Sequence, residues 1–199
     1  ELLPDTEGHL PTALDRKRFP ATLLEQLNHR PESPLKGLIK TPTTPDGTIK
    51  DNSLLRVIEN SLTFGFLHRY RDPMTGQGDM ESMIRGMSEF WAAVPQVFAK
   101  AWGLPPRESR LMHGVGIISL GFIMDAIADR FPDRPPRMED FKEDLTALAP
   151  ICHWTEGEWD FGAAGKRNWN DLQNTGKEIQ LLANYLLHEY KHRVWSRHR

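Results

Sequence analysis

The sequence predicts a mainly α-helical fold: one compact domain of about six helices with at most a very small β-hairpin. Three observations lead there. Apolar residues recur at three- and four-residue spacing along most of the chain, the repeat that places them on one helix face. Proline- and glycine-bearing turns separate those segments. The chain has 199 residues, 39% of them hydrophobic and 26% charged, which suits a single core and gives no sign of wholesale disorder.

Phe19, Leu23, Leu24 and Leu27 mark a first short helix over residues 20–29, with Pro20 suited to its opening turn. Pro31 and Pro34 end it. The run Thr41-Pro42-Thr43-Thr44-Pro45-Asp46-Gly47 supplies turn chemistry, so Leu38-Ile39 and Thr48-Ile49 are expected as the stubs of a small hairpin. Ser53 then stands as the cap of a helix in which Leu54, Val57, Ile58 and Leu62 are buried. After a turn-rich stretch, Asp79 caps a long helix over residues 79–102, kinked at Pro95.

Residues 107–131 read as a central helix lined by Ile117, Leu120, Met124 and Ile127, and this helix and the one before it are expected to form the middle of the fold. Its glycines, Gly114, Gly116 and Gly121, each cost about 1 kcal/mol in a helix interior, so a close approach of backbone or ligand must offset them. A short helix follows over residues 138–148. The stretch 152–170 reads as irregular and anchored by Trp154, Trp159 and Trp169, and a last helix over residues 171–197 buries Ile179, Leu182, Leu186 and Val194.

Composition limits the function classes. A formal net charge of −2 argues against a uniformly basic nucleic-acid binder, although a local basic patch remains compatible with it. Cys152 is the single cysteine, which excludes an intrachain disulfide, leaves any thiolate metal cluster in need of other ligand types, and suits a reducing, cytoplasmic setting. No apolar run approaches the roughly 20 residues of a membrane span, because glycines and Asp125 interrupt the longest one. The opening Glu1-Leu2-Leu3-Pro4 offers neither an initiator methionine nor a leader, so the chain is expected to be the C-terminal part of a longer protein.

Several constellations could carry chemistry. Ser109, Arg110 and His113 fall within one turn if the central helix has begun, so Arg110 and His113 could face one anion, with helix-end backbone donors and Gly114 and Gly116 beside them. The alternative is architectural: a core histidine and an arginine paired with a carboxylate. Lys50, Asp51 and Asn52 set a cation, a carboxylate and an amide before a helix, as a ligand site would, yet Asp, Asn and Ser are also ordinary capping residues. Lys191, Arg193, Arg197 and Arg199 form a basic tail that could meet phosphates or simply complement the helix dipole.

His188-Glu189-Tyr190-Lys191-His192 has the spacing of a zinc-hydrolase helix, and His198 has that of a third ligand. Trp195 stands where the third-ligand pattern needs a glycine, and the sequence stops before a methionine turn, so no metal is expected.

Three stretches go further. Ser33-Pro34-Leu35-Lys36-Gly37-Leu38-Ile39 with Thr41-Pro42-Thr43, then Ile49-Lys50-Asp51-Asn52-Ser53, and Ser109-Arg110-Leu111-Met112-His113-Gly114-Val115-Gly116-Ile117, resemble the later half of DGQHR-domain proteins. The resemblance spans most of residues 1–131 and leaves residues 132–199 as an unassigned helical extension; the name-giving Asp-Gly-Gln-His-Arg string is absent.

That resemblance implies a bacterial protein associated with DNA modification or phage defence, a group that includes the regulator of DNA phosphorothioation genes. DNA or a nucleotide is the partner it brings into view; the missing upstream half and a second copy of the chain are further candidates. A nucleotide-acting enzyme, a helical interaction module and, more remotely, a zinc hydrolase are the competing expectations.

Overall fold

A computed structural model describes residues 12–72 and 77–194, with side chains from residue 18 onward. Among these residues lie six α-helices and two tiny sheets. The helices are α1 (Thr12–His29), α2 (Asp51–Phe64), α3 (Met80–Val97), α4 (Gly114–Ala128), α5 (Met138–Leu148) and α6 (Gly176–Arg193). The mainly helical expectation holds. None of these helices is long and apolar enough to cross a membrane.

Pro20 lies inside α1 rather than opening it, because the helix begins eight residues earlier than its apolar stripe suggests. Beyond α1, the expected hairpin is a parallel pair, β1 (Ile39–Lys40) beside β2 (Ile49–Lys50). The reason is two reversals in succession. Thr41 and Thr44 exchange backbone hydrogen bonds across one turn, and Gly47 N then donates to Thr44 O across a second. Each turn has proline at its second position, and two reversals restore the original direction. Gly47 is needed there, since a Cβ would sit 2.4 Å from the Lys40 nitrogen.

Asn28 fastens this segment to α1. Its buried amide donates to Ile39 O at 3.0 Å and accepts from Ile39 N at 3.1 Å, imitating a neighbouring strand.

Helix α2 starts at Asp51, so Ser53 is not its cap; Ser53 is buried within the first turn. Asp79 does cap α3, accepting Ser82 N at 3.0 Å, but α3 ends at Val97 with Pro95 in its last turn, short of Trp102. The central helix also begins later than expected: residues 107–113 form turns, and α4 opens at Gly114 with His113 as its cap residue. It is buried on nearly every side from Gly114 to Leu120, consistent with a helix apolar all round.

The packing pairs differ from the expected ones. Helix α4 lies against α6 and α2, whereas α3 packs chiefly on α5. Gly121 lets α2 approach, because a Cβ there would meet Val57 at 2.7 Å. Arg69 closes the other end of α4 by donating to the carbonyl of Ala128, the last residue of the helix, and to that of Phe131 just beyond it.

The stretch read as irregular contains an antiparallel hairpin, β3 (Glu158–Asp160) and β4 (Lys166–Asn168), whose loop uses positive φ at Gly162 and Gly165. Trp154 and Trp159 are fully buried, 5.2 Å apart edge to face, while Trp169 is only half-buried. Helix α6 begins at Gly176 rather than Asp171, because Thr175 accepts from Glu178 N and so fixes the start.

Candidate functional site

Lys50 closes β2 and precedes α2; Arg110 and His113 belong to the turns that feed α4. The fold brings β2 against α4, so residues some sixty positions apart become neighbours. Charges from both segments act on the His113 imidazole. Burial depresses its pKa first, and the positive charges of Arg110 and then Lys50 depress it further. Its Nδ1 is buried and has no hydrogen-bond partner.

Arg110 is half-buried. Its Nε donates to Asn170 O at 3.1 Å and Nη2 donates to the same oxygen at 2.5 Å; Nη1 reaches Pro106 O at 3.4 Å. Burial lowers the guanidinium pKa, while Asp171 and Glu178 act in the opposite sense. The arginine thus pairs with carbonyls, not with a carboxylate, and straps the turns before α4 to the loop before α6. Ser109 is buried, and its hydroxyl accepts from Met112 N at 3.4 Å, an architectural role.

Gly114 and Gly116 face protein. A Cβ on Gly116 would stand 2.1 Å from Arg110 O, and one on Gly114 would stand 2.6 Å from the Asn174 amide. The glycines are therefore explained by close packing of the preceding turn and of Asn174, and no space for a phosphate is needed to account for them. Asp51 and Asn52 are exposed in the first turn of α2, where Asp51 Oδ1 accepts from Asn52 N and Asn52 Oδ1 accepts from Ser53 Oγ. Lys50 is exposed beside them.

Lys191 and Arg193, the described part of the basic tail, do not join this site. Asn174 lies against the start of α4, whereas Tyr190 reaches Asp144, the acid bound by Arg130 just past the end of α4. Helices α4 and α6 therefore run in the same direction. Lys191 and Arg193 lie roughly 25 Å along α6 from its start, at 1.5 Å per residue. Arg193 is moreover bonded to Glu189 at 2.9 Å. Arg197 and Arg199 lie outside the described residues, as do Trp195 and His198.

The His188 and His192 rings stand 4.5 Å apart, but the glutamate between them is the one bound to Arg193. No group of three metal-ligating side chains occurs among the described residues.

Sequence reasoning missed two buried acids. Asp125, on α4, accepts from Ser61 Oγ at 2.5 Å and Phe66 N at 2.9 Å, and burial raises its pKa to about 6. Asp144, on α5, is bound by Arg130 and Tyr190. A lone aspartate inside the apolar run Leu120–Ile127 was a signal for the first. Nothing in the pattern around Asp144 distinguished it from a surface acid.

No protein-family model, curated protein or solved structure matches this chain.

Proposed function

We propose that this chain is the helical part of a DGQHR-like protein of a bacterial DNA-modification or phage-defence system, and that it meets a phosphate-bearing ligand, DNA or a nucleotide, beside the start of α4. One observation supports the reading most. The stretches that carry the resemblance, far apart in sequence, supply β1, β2 and the start of α4, and β2 touches both of the others. Where they converge, Lys50 and Arg110 impose a positive field on a histidine with an unpaired ring nitrogen. An anion answers that field, and a phosphate oxygen can accept from an imidazolium nitrogen.

A second reading has its own support. The closed packing around Gly114 and Gly116 and the commitment of Arg110 to carbonyls suit a helical interaction module with no small ligand.

Fluorescence anisotropy with labelled single- and double-stranded oligonucleotides, run at several salt concentrations beside calorimetric titration of ATP and ADP, separates the readings. Salt-dependent oligonucleotide binding that weakens in Lys50→Gln supports a DNA partner. Saturation by nucleotide alone favours the nucleotide class. Binding of neither at low salt overturns the proposal in favour of the interaction module.

A further inference from the structure

Between the loop after α1 and one face of α3 lies an open groove of about 330 Å³. That volume is near the lower end of small-molecule sites, large enough for a molecule of ten or so heavy atoms, by order of magnitude. The α3 wall is a single stripe, because Glu81, Ile84, Arg85, Ser88 and Glu89 recur at three- and four-residue spacing. Arg30 and Glu32 stand on the other wall.

The groups on this stripe are unequally satisfied. Glu81 and Arg30 are tied to each other, so their charges cancel across the groove. Glu89 spends Oε2 on Met138 N at 2.7 Å, yet an ionised carboxylate has further lone pairs to offer. Arg85 donates to the neutral Ser82 hydroxyl at 3.2 Å; its charge also acts on Asp79 and Glu81, but no carboxylate among the described residues bonds to it. Ser88 is the odd group: its hydroxyl oxygen is buried and has no hydrogen-bond partner. A buried polar group left in that state costs stability, which a hydrogen-bonding ligand would recover.

The lining holds two cations and three carboxylates, which disfavours a phosphate and separates this groove chemically from the cationic site at α4. We propose that it binds a small zwitterion with a carboxylate and an ammonium group a few bonds apart, such as a free amino acid. The ligand carboxylate takes the Arg85 guanidinium, to which no carboxylate among the described residues is bonded, and the Ser88 hydroxyl. Its ammonium group faces Glu89, and its aliphatic part lies on Ile84, which is buried in the groove wall.

Calorimetric titration of the full chain with each proteinogenic amino acid in turn tests this. Saturable binding of at least one is expected, weakened by roughly tenfold or more in Arg85→Gln and in Ser88→Ala, while Lys50→Gln leaves it unchanged. Ser88→Ala is also expected to keep or raise the melting temperature of the free protein, because it deletes an unpaired buried hydroxyl; a purely structural serine would lower it. Arg85 is exposed, so its variant folds and keeps the test decisive. Absence of saturable binding by any amino acid, or binding indifferent to both substitutions, overturns the proposal. Neither result bears on the oligonucleotide and nucleotide titrations of the α4 site.

Discussion

Tyr190 donates its hydroxyl to Oδ2 of Asp144 at 2.7 Å, and Arg130 grips the same carboxylate, so one buried acid joins α5, the end of α4 and the last turns of α6. Burial pushes the Tyr190 phenol far up, and Asp144 raises it further, so it remains a donor at any ordinary pH. Asp144→Ala should cost about 3–5 kcal/mol, because it strands the Arg130 guanidinium without a counter-charge. Tyr190→Phe removes one hydrogen bond to a charged group and should cost about 1.5–3 kcal/mol. Urea unfolding with unchanged m-values would measure both. Equal losses under about 0.5 kcal/mol, the scale of surface substitutions, would mean that the acid is not shared as described.

Asn28→Ala tests the fastening of β1 to α1. The amide serves both Ile39 backbone groups and also donates to Thr44 Oγ1 at 3.1 Å. Truncation strands a buried N–H and C=O, each worth about 1–3 kcal/mol when unsatisfied, so the melting temperature should fall by several degrees. Hydrogen exchange should localise the loss, with the Ile39 amide losing protection before amides in α4.

Asp125 makes stability pH-dependent. Burial raises its carboxyl from the ordinary 3.8 to about 6, so the folded chain binds its proton more tightly than the unfolded chain does. The favourable contribution is complete below the unfolded value and is lost as pH rises through about 6. The change amounts to at most about 3 kcal/mol, from roughly 1.4 kcal/mol per pKa unit. In Asp125→Asn the amide oxygen can still accept from Ser61 and Phe66, so the slope of unfolding free energy over that interval should flatten. An unaltered slope would assign the dependence to another group.

Legibility in the sequence followed the range of the interactions involved. Helix existence was readable because Leu54, Val57, Ile58 and Leu62, or Ile179, Leu182 and Leu186, announce a buried face by spacing alone, and each set is buried. The start of α4 was misjudged because propensity does not reveal that Arg110 to His113 must turn so that Gly116 can pass the Arg110 carbonyl. The parallel pair was hidden for a similar reason: one Thr-Pro turn predicts a hairpin, and only the second reverses it. Lys50 and Arg110 were legible as candidates, and Arg110 lies near His113 in sequence, but the proximity of Lys50 to His113 depends on β2 meeting α4, a contact between distant segments that no local pattern encodes.

That proximity yields the sharpest prediction about the α4 site. His113 has its pKa held below the ordinary 6.5 by burial, then by Arg110 and Lys50, so the fold favours the neutral ring. Its contribution to stability is present above the unfolded value and is lost as pH falls through the folded one. Removing a cation in Lys50→Gln should raise the His113 pKa, as should an anion bound beside it, because either change favours the imidazolium. Proton-detected NMR of the imidazole carbons across pH, with and without a nucleotide or oligonucleotide at saturation, reads both effects. A rise on ligand addition that shrinks in Lys50→Gln places the phosphate next to His113. A ligand that saturates the protein while leaving the His113 titration untouched binds elsewhere, and the cations around the start of α4 would then serve packing alone.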